Sequence, residues 1–136
     1  MDFNEAINSL KEHGYKMTNR RKEILSFFSQ TDSYRTAKDL YDHMENLYEG
    51  ISFDTVYRNL HLYHDLGILE STDLNSEKHF RMKCGDHHHH HFICNDCGGT
   101  KKIDLCPMDH VKAMLGSYKV KDHKFEVYGL CPACQL

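Results

Sequence analysis

Four of the 6 cysteines stand as two CxxC pairs, Cys94-Asn95-Asp96-Cys97 and Cys131-Pro132-Ala133-Cys134. A CxxC turn aims two thiolates at one point, and two such turns supply the four tetrahedral ligands that a structural zinc takes. Gly98 and Gly99 let the backbone turn tightly behind the first pair. The 33 residues between Cys97 and Cys131 are enough for a whole β-α-β-β segment. A zinc there ties the end of a domain to its beginning, which suits a domain too small to hold its own core. A redox CxxC or buried unpaired thiols are the alternative, but neither calls for two pairs.

Five of the 12 histidines run consecutively, His87 to His91, and lead into Phe92-Ile93-Cys94. In a strand, alternate residues face opposite sides. His89 and His91 then face one way and His88 and His90 the other, so one strand can serve two metal sites. The bland alternative is a solvated His-rich loop. Cys84 lies outside the knuckles and can join His89 and His91. A thiolate in the set argues for zinc or copper over magnesium, calcium or manganese, which prefer oxygen. Cys106, beside Pro107, has no evident partner and reads as a small buried hydrophobe.

Elements must position these groups. Phe3, Ile7 and Leu10 recur at helical spacing, and Gly14 ends that helix. Thr18 caps a second helix through Ile24, Leu25 and Phe28. Thr36 with Asp39 forms a capping box for a third, which carries Leu40, Tyr41 and Met44. Ser52 caps a fourth with Val56, Leu60 and Tyr63 on its core side, and Gly67 ends it. Then the period changes. Ile68–Thr72 and Lys78–Met82 read as strands around Asp73-Leu74-Asn75-Ser76. Helices followed by a hairpin are the order of a winged helix-turn-helix. After a boundary near residue 84, a strand is expected over His87–Cys94 and another over Lys102–Leu105. A helix follows from Pro107, and a closing hairpin pairs Tyr118–Asp122 with Phe125–Leu130. The expected class is therefore α+β, with a winged-helix domain over 1–83 and a zinc-binding α/β domain over 84–136.

The fourth helix carries the candidate reading residues. With Val56, Leu60 and Tyr63 inward, Tyr57, Arg58 and His61 point out, and Thr55 lies near the helix start, where side chains approach base edges. Lys16, Arg20, Arg21 and Lys22 form the basic cluster of the first half. Net charge is −3, and residues 1–83 hold 11 Lys and Arg against 14 Asp and Glu. Such a domain binds DNA weakly unless it is oriented and doubled. The alternative is that Tyr57 and Arg58 are ordinary surface residues.

Other classes find little support. No run of ~18 apolar residues is present, so no transmembrane helix is expected. The amphipathic, acid-bearing start resembles neither a signal nor a transit peptide, and a cytoplasmic protein with reduced thiols is expected. The HExxH, GxSxG and deaminase H-x-E signatures and a Gly-rich phosphate loop are all missing, so no enzyme is expected.

FDTVYRNLHLY, HHHHHFIC, CPMD, HKFEVYGLCP and CPAC together resemble the ferric uptake regulator (Fur) family of bacterial metal-sensing repressors, and within it the zinc uptake regulator branch of Gram-positive bacteria. The likeness runs over essentially the whole chain. It implies a homodimer with N-terminal winged-helix and C-terminal dimerisation domains. The residues expected to contact operator DNA of two-fold symmetry are Lys16, Arg21, Ser52, Thr55, Tyr57 and Arg58. It implies structural zinc on Cys94, Cys97, Cys131 and Cys134, and regulatory zinc on Asp65, Cys84, His89 and His91. Some zinc-sensing members hold a third zinc, for which the matching positions are His88, His90, Asp109 and His123. Iron- and peroxide-sensing relatives supply a His just before the third helix, where this chain has Tyr34. That departure and Cys84 favour a zinc-responsive repressor of zinc-uptake genes. An iron-, manganese- or peroxide-sensing repressor and a zinc-buffering protein are the alternatives.

Overall fold

The computed structural model describes residues 1–84 and 88–135. It comprises two compact units, Met1–Asp86 and His87–Leu136. The expected start of a strand at His87 lies outside the described residues.

In the first unit the helices are α1 (Phe3–Glu12), α2 (Asn19–Ser29), α3 (Ala37–Leu47) and α4 (Phe53–Asp65). Each begins where a side chain satisfies backbone donors that the helix itself leaves free. Thr18 Oγ1 accepts from Arg21 N at 3.2 Å, and Ser52 Oγ accepts from Thr55 N at 3.1 Å. Thr36 and Asp39 form the full reciprocal box, with both bonds at 3.0 Å. Asp2 and Glu5 form a second box at the head of α1, which the sequence reading did not single out. The inward faces meet in one core, in which Leu10, Leu40, Met44, Val56, Leu60 and Tyr63 are fully buried.

The wing follows as β2 (Leu69–Leu74) and β3 (Glu77–Met82). Asn75 and Ser76 connect them, both at positive φ (53° and 64°), as a two-residue turn with the twist of a type I′ hairpin requires. A two-residue strand, β1 (Arg35–Thr36), adds to the other edge of β3 to give the order β1-β3-β2. On this small sheet Arg81 is only 5% exposed. Its Nε pairs with Glu70 Oε1 at 3.3 Å, and its guanidinium lies 5.6 Å from the centre of the Tyr34 ring. Tyr34 is thereby a core residue, 6% exposed.

The second unit holds β4 (His90–Cys94), β5 (Thr100–Ile103), α5 (Met108–Leu115), β6 (Glu126–Gly129) and a terminal 3₁₀ turn, Pro132–Gln135. Its sheet order is β5-β4-β6, antiparallel between β4 and β5 and parallel between β4 and β6. The expected closing hairpin is therefore replaced. After α5 the chain is long enough to cross over and run beside β4 in the same direction, as a parallel connection needs. The stretch Lys119–Lys124 is mostly polar and offers no apolar face for a strand. Gly129 fits where it does because a Cβ there would stand 3.2 Å from the Phe92 ring. Among the described residues of this unit, Ile93 and Cys94 are the only buried hydrophobics, and α5 buries none of its residues.

No described helix is long and apolar enough to cross a membrane. Because α4 is anchored only in the first core, Leu60→Ala should destabilise that unit by ~2–5 kcal/mol through loss of packing. Thermal unfolding followed by circular dichroism should show this, with the zinc content of the Cys94 cluster unchanged. A loss of bound zinc alongside the lowered melting temperature would contradict separate cores.

Candidate metal centres and reading helix

The register of β4 with β6 brings the two cysteine turns together. Asn95 N donates to the Gly129 carbonyl at 2.8 Å, which places Cys94 beside the start of the second turn. Gly98, at φ 73°, turns the first knuckle. Cys94, Cys97, Cys131 and Cys134 then present sulfurs that all lie within 4.8 Å of one another. Cys97 Sγ and Cys131 Sγ are 3.8 Å apart. A tetrahedron with metal–sulfur bonds of ~2.3 Å has edges of about 3.8 Å, which the Cys97–Cys131 pair matches, so the set suits zinc.

Backbone amides prepare this set for a cation. Hydrogen bonds from the Cys131 N–H, at 3.4 Å, and then from the Cys97 N–H pull the Cys94 thiol down to about 6. The Gly99 N–H favours the Cys97 thiolate most strongly, but the Cys94 sulfur, burial and the Cys131 sulfur together outweigh it and hold that thiol above its usual range. Cys134 is pushed up, first by its hydrogen bond to Cys131 and then by burial. One sulfur therefore stands ready as thiolate, while at least two keep protons that a metal must displace.

A second cluster forms on the same strand. His88 and His90 lie on one side of β4, and their Nε2 atoms approach to 2.9 Å. His123 Nε2 stands 3.0 Å from His88 Nε2 and 3.4 Å from His90 Nε2. The fourth member is Cys106, in place of the Asp109 that family matching suggested. Asp109 opens α5 and is exposed, outside the group. Cys106 is part-exposed and aimed at the histidines, so it is not the small core residue that its sequence neighbourhood suggested. Its spacing from His123 carries no recognisable motif, so only the folded chain reveals the match.

The remaining expected ligands are divided between the units. Asp65 ends α4 and is exposed, and Cys84 follows β3 by two residues. His89 and His91 share the opposite side of β4 from His88 and His90, with ring centres 6.5 Å apart.

On the reading helix, Tyr57 and Arg58 are exposed as the core pattern requires. Arg58 Nε pairs with Asp54 Oδ2 at 3.1 Å, but both side chains are about three-quarters exposed, at 74% and 76%. Such a pair is worth little and leaves the guanidinium free to take a better partner. Ser52 and Thr55 hydroxyls bond each other at 2.8 Å in the cap. Arg21 Nη1 donates to the Lys16 carbonyl at 2.7 Å, joining two of the expected phosphate contacts. The sequence reading missed Phe53, which is 46% exposed and stacks on Tyr57 with ring centres 6.0 Å apart. A large apolar side chain left out at a helix start was the available signal.

Because zinc must displace protons from Cys97 and Cys134, its affinity for the metal-stripped, reduced protein should fall as pH falls from 8 to 6. The fall should steepen below about 6, where Cys94 also takes a proton. Chelator competition across that range checks this, and a pH-independent affinity would contradict it.

The sequence profile of the ferric uptake regulator family matches residues 12–128. The chain is 53% identical over 135 residues to the ferric uptake regulation protein of Staphylococcus epidermidis, covering 99% of this chain and 97% of that protein. The solved ferric uptake regulator of Helicobacter pylori has the same fold, with a TM-score of 0.76 at 17% identity over 100% of this chain and 95% of that one. A zinc uptake regulator complexed with zinc and DNA gives 0.71 at 23% identity over 98% of this chain and 92% of that one. Members of this family are metal-dependent, DNA-binding transcriptional regulators and not enzymes, and the chain belongs to the ferric uptake regulator family.

Proposed function

We propose that the chain is a zinc-responsive repressor, which binds operator DNA of two-fold symmetry as a homodimer and controls zinc-uptake genes. The observation that carries this reading is the donor chemistry. Beside the four clustered thiols, the proposed sensing set is one thiolate, two imidazoles and one carboxylate, from Cys84, His89, His91 and Asp65. Sulfur and imidazole suit zinc better than they suit manganese or other oxygen-seeking ions. Tyr34 supports the same choice. It stands where iron- and peroxide-sensing relatives resemble one another in supplying a His, and here its ring is buried against Arg81.

Asp65 and Cys84 belong to the first unit, and His89 and His91 to the second. Zinc held by all four supplies a four-coordinate link between them, which restricts the orientation of the reading head. Tyr57 and Arg58 then meet base edges, while Lys16 and Arg21 hold phosphates. Moving a population of heads from about 1:99 to 99:1 in favour of the binding orientation takes ~5.5 kcal/mol. Zinc sites coupled to folding supply ~10–16 kcal/mol, which leaves ample room. Operator and zinc must then strengthen each other's binding by the same factor.

The homodimer has its own support. Leu105, Met114 and Tyr118 of the second unit are 63%, 85% and 76% exposed. Apolar exposure of that extent on so small a unit suits burial against a second copy. The solved zinc uptake regulator bound to zinc and DNA supports the reading as a relative of like fold.

An iron-responsive repressor is the second reading, favoured by the name of the relative that is 53% identical. Operator binding at buffered free metal separates the two. Zinc should activate the wild-type protein at a lower free concentration than iron(II), and the reverse order would support the iron reading. His89→Ala should keep the dimer and its structural zinc but lose zinc-stimulated operator binding; a normal zinc response would remove His89 from the sensing set. Arg58→Ala at saturating zinc should cost ~1–3 kcal/mol of operator affinity if it loses a base contact. An unchanged affinity would mean that α4 is not the reading helix.

A further inference from the structure

The start of α4 carries an aromatic side chain that the fold holds but does not cover. Phe53 is the first residue of the helix, directly after the Ser52 cap. On one side it meets the Tyr41 ring of α3, with centres 5.5 Å apart. On the other it stacks on Tyr57, at 6.0 Å and 21° between the ring planes. Tyr41 in turn packs against the core of the first unit. Phe53, Tyr57 and His61 follow at four-residue intervals, so they form one row along the helix that rises about 6 Å per step. The Tyr57 ring meets His61 edge-on at 4.5 Å. Phe53 is therefore fixed from two sides, yet it stays 46% exposed.

That exposed ring is continuous with the candidate reading surface. Ser52, Thr55, Tyr57 and Arg58 flank it along the chain, and the first residues of a reading helix approach base edges. A phenyl ring has no conventional hydrogen-bond donor or acceptor, so it cannot read the polar pattern of a base pair. What it can distinguish is the apolar group of the major groove, the C5-methyl of thymine. Packing against Tyr41 accounts for the buried part of the ring and leaves the rest for such a contact.

We propose that Phe53 is a specificity-determining residue of the reading helix, whose exposed ring takes the C5-methyl group of a thymine in the operator major groove. The assignment rests on α4 being the reading helix and holds whichever metal the protein senses. Tyr41 and Tyr57 hold the ring in place, so little side-chain freedom is lost when it meets the base. Covering one methyl group is worth about as much as burying one methylene, a factor of about four in affinity. Phe53 thereby favours thymine over cytosine without a hydrogen bond, beside the polar contacts that Tyr57 and Arg58 make on the same helix.

Replacing thymine by uracil tests it, since the change removes the methyl and leaves every hydrogen-bonding group of the base in place. The probe is the duplex that the wild-type protein selects from a random-sequence pool, with zinc as the activating metal, or iron(II) if zinc is inactive. Thymines are replaced one at a time, and the Kd is measured. The wild-type protein should lose about fourfold in affinity at the thymine that Phe53 touches. Phe53→Ala should bind the parent duplex more weakly by a similar factor and be indifferent to uracil at that position, while keeping its sensitivity elsewhere. Phe53→Gln, which keeps bulk between Tyr41 and Tyr57, should behave in the same way with an unchanged circular dichroism spectrum. Tyr57→Ala should still respond to uracil there, because the contact is made by Phe53 itself. A uracil profile that neither Phe53 variant alters, or a response at that position that Tyr57→Ala also removes, would overturn the assignment. Arg58→Ala on the parent duplex separates the two levels. Weaker binding there, with wild-type uracil profiles in both Phe53 variants, overturns the Phe53 contact alone. Full affinity in Arg58→Ala and in both Phe53 variants removes α4 as the reading helix, and the Phe53 contact with it.

Discussion

The second unit has almost no hydrophobic core, and its architecture follows from that shortage. Ile93 and Cys94 are the only hydrophobics buried among its described residues. At ~25 cal/mol per Å² of apolar surface, two such side chains cannot offset the entropy of ordering some fifty residues. What the unit has instead is convergent ligands. The four-cysteine cluster brings the end of β4 to the turn after β6, where one cation would join segments that otherwise share only a short parallel ladder. Cross-linking by metal serves small domains as a core serves large ones.

The first unit is built the other way. Its helices are capped by their own side chains, and their inner faces share a continuous apolar core. It needs no metal to hold Tyr57 and Arg58 outward on α4. The contrast suits a regulator. On the proposed reading, a head that stays folded without metal is redirected by ligands placed outside its core. Asp65 sits just beyond the last core residue of α4, Tyr63.

Much of this was legible in the chain. Thr18, Thr36 and Ser52 each precede a helix with the right spacing because capping is a local event, settled within four residues. The alternation of His88 and His90 against His89 and His91 follows from strand geometry alone, and the structure separates them in that way. The CxxC turns are equally local. What escaped were non-local matches. The two-residue strand Arg35–Thr36 exists only because β3 offers it an edge. Glu126–Gly129 pairs with β4 across more than thirty residues rather than with the nearer stretch before it. Cys106 meets His88 and His123 through folding back of a loop, and a sequence pattern has no term for that. Asp109, one turn away, was the residue that family matching suggested.

On the proposed reading, coordinated metal takes the place of a hydrophobic core in the second unit. Amide hydrogen exchange on the reduced protein, with zinc bound and after its removal, addresses it most directly. The account predicts that stripping zinc collapses protection in His90–Cys94 and Glu126–Gly129, while the buried turns of α2 and α4 keep theirs. Protection of β4 and β6 that survives complete removal of zinc would contradict it.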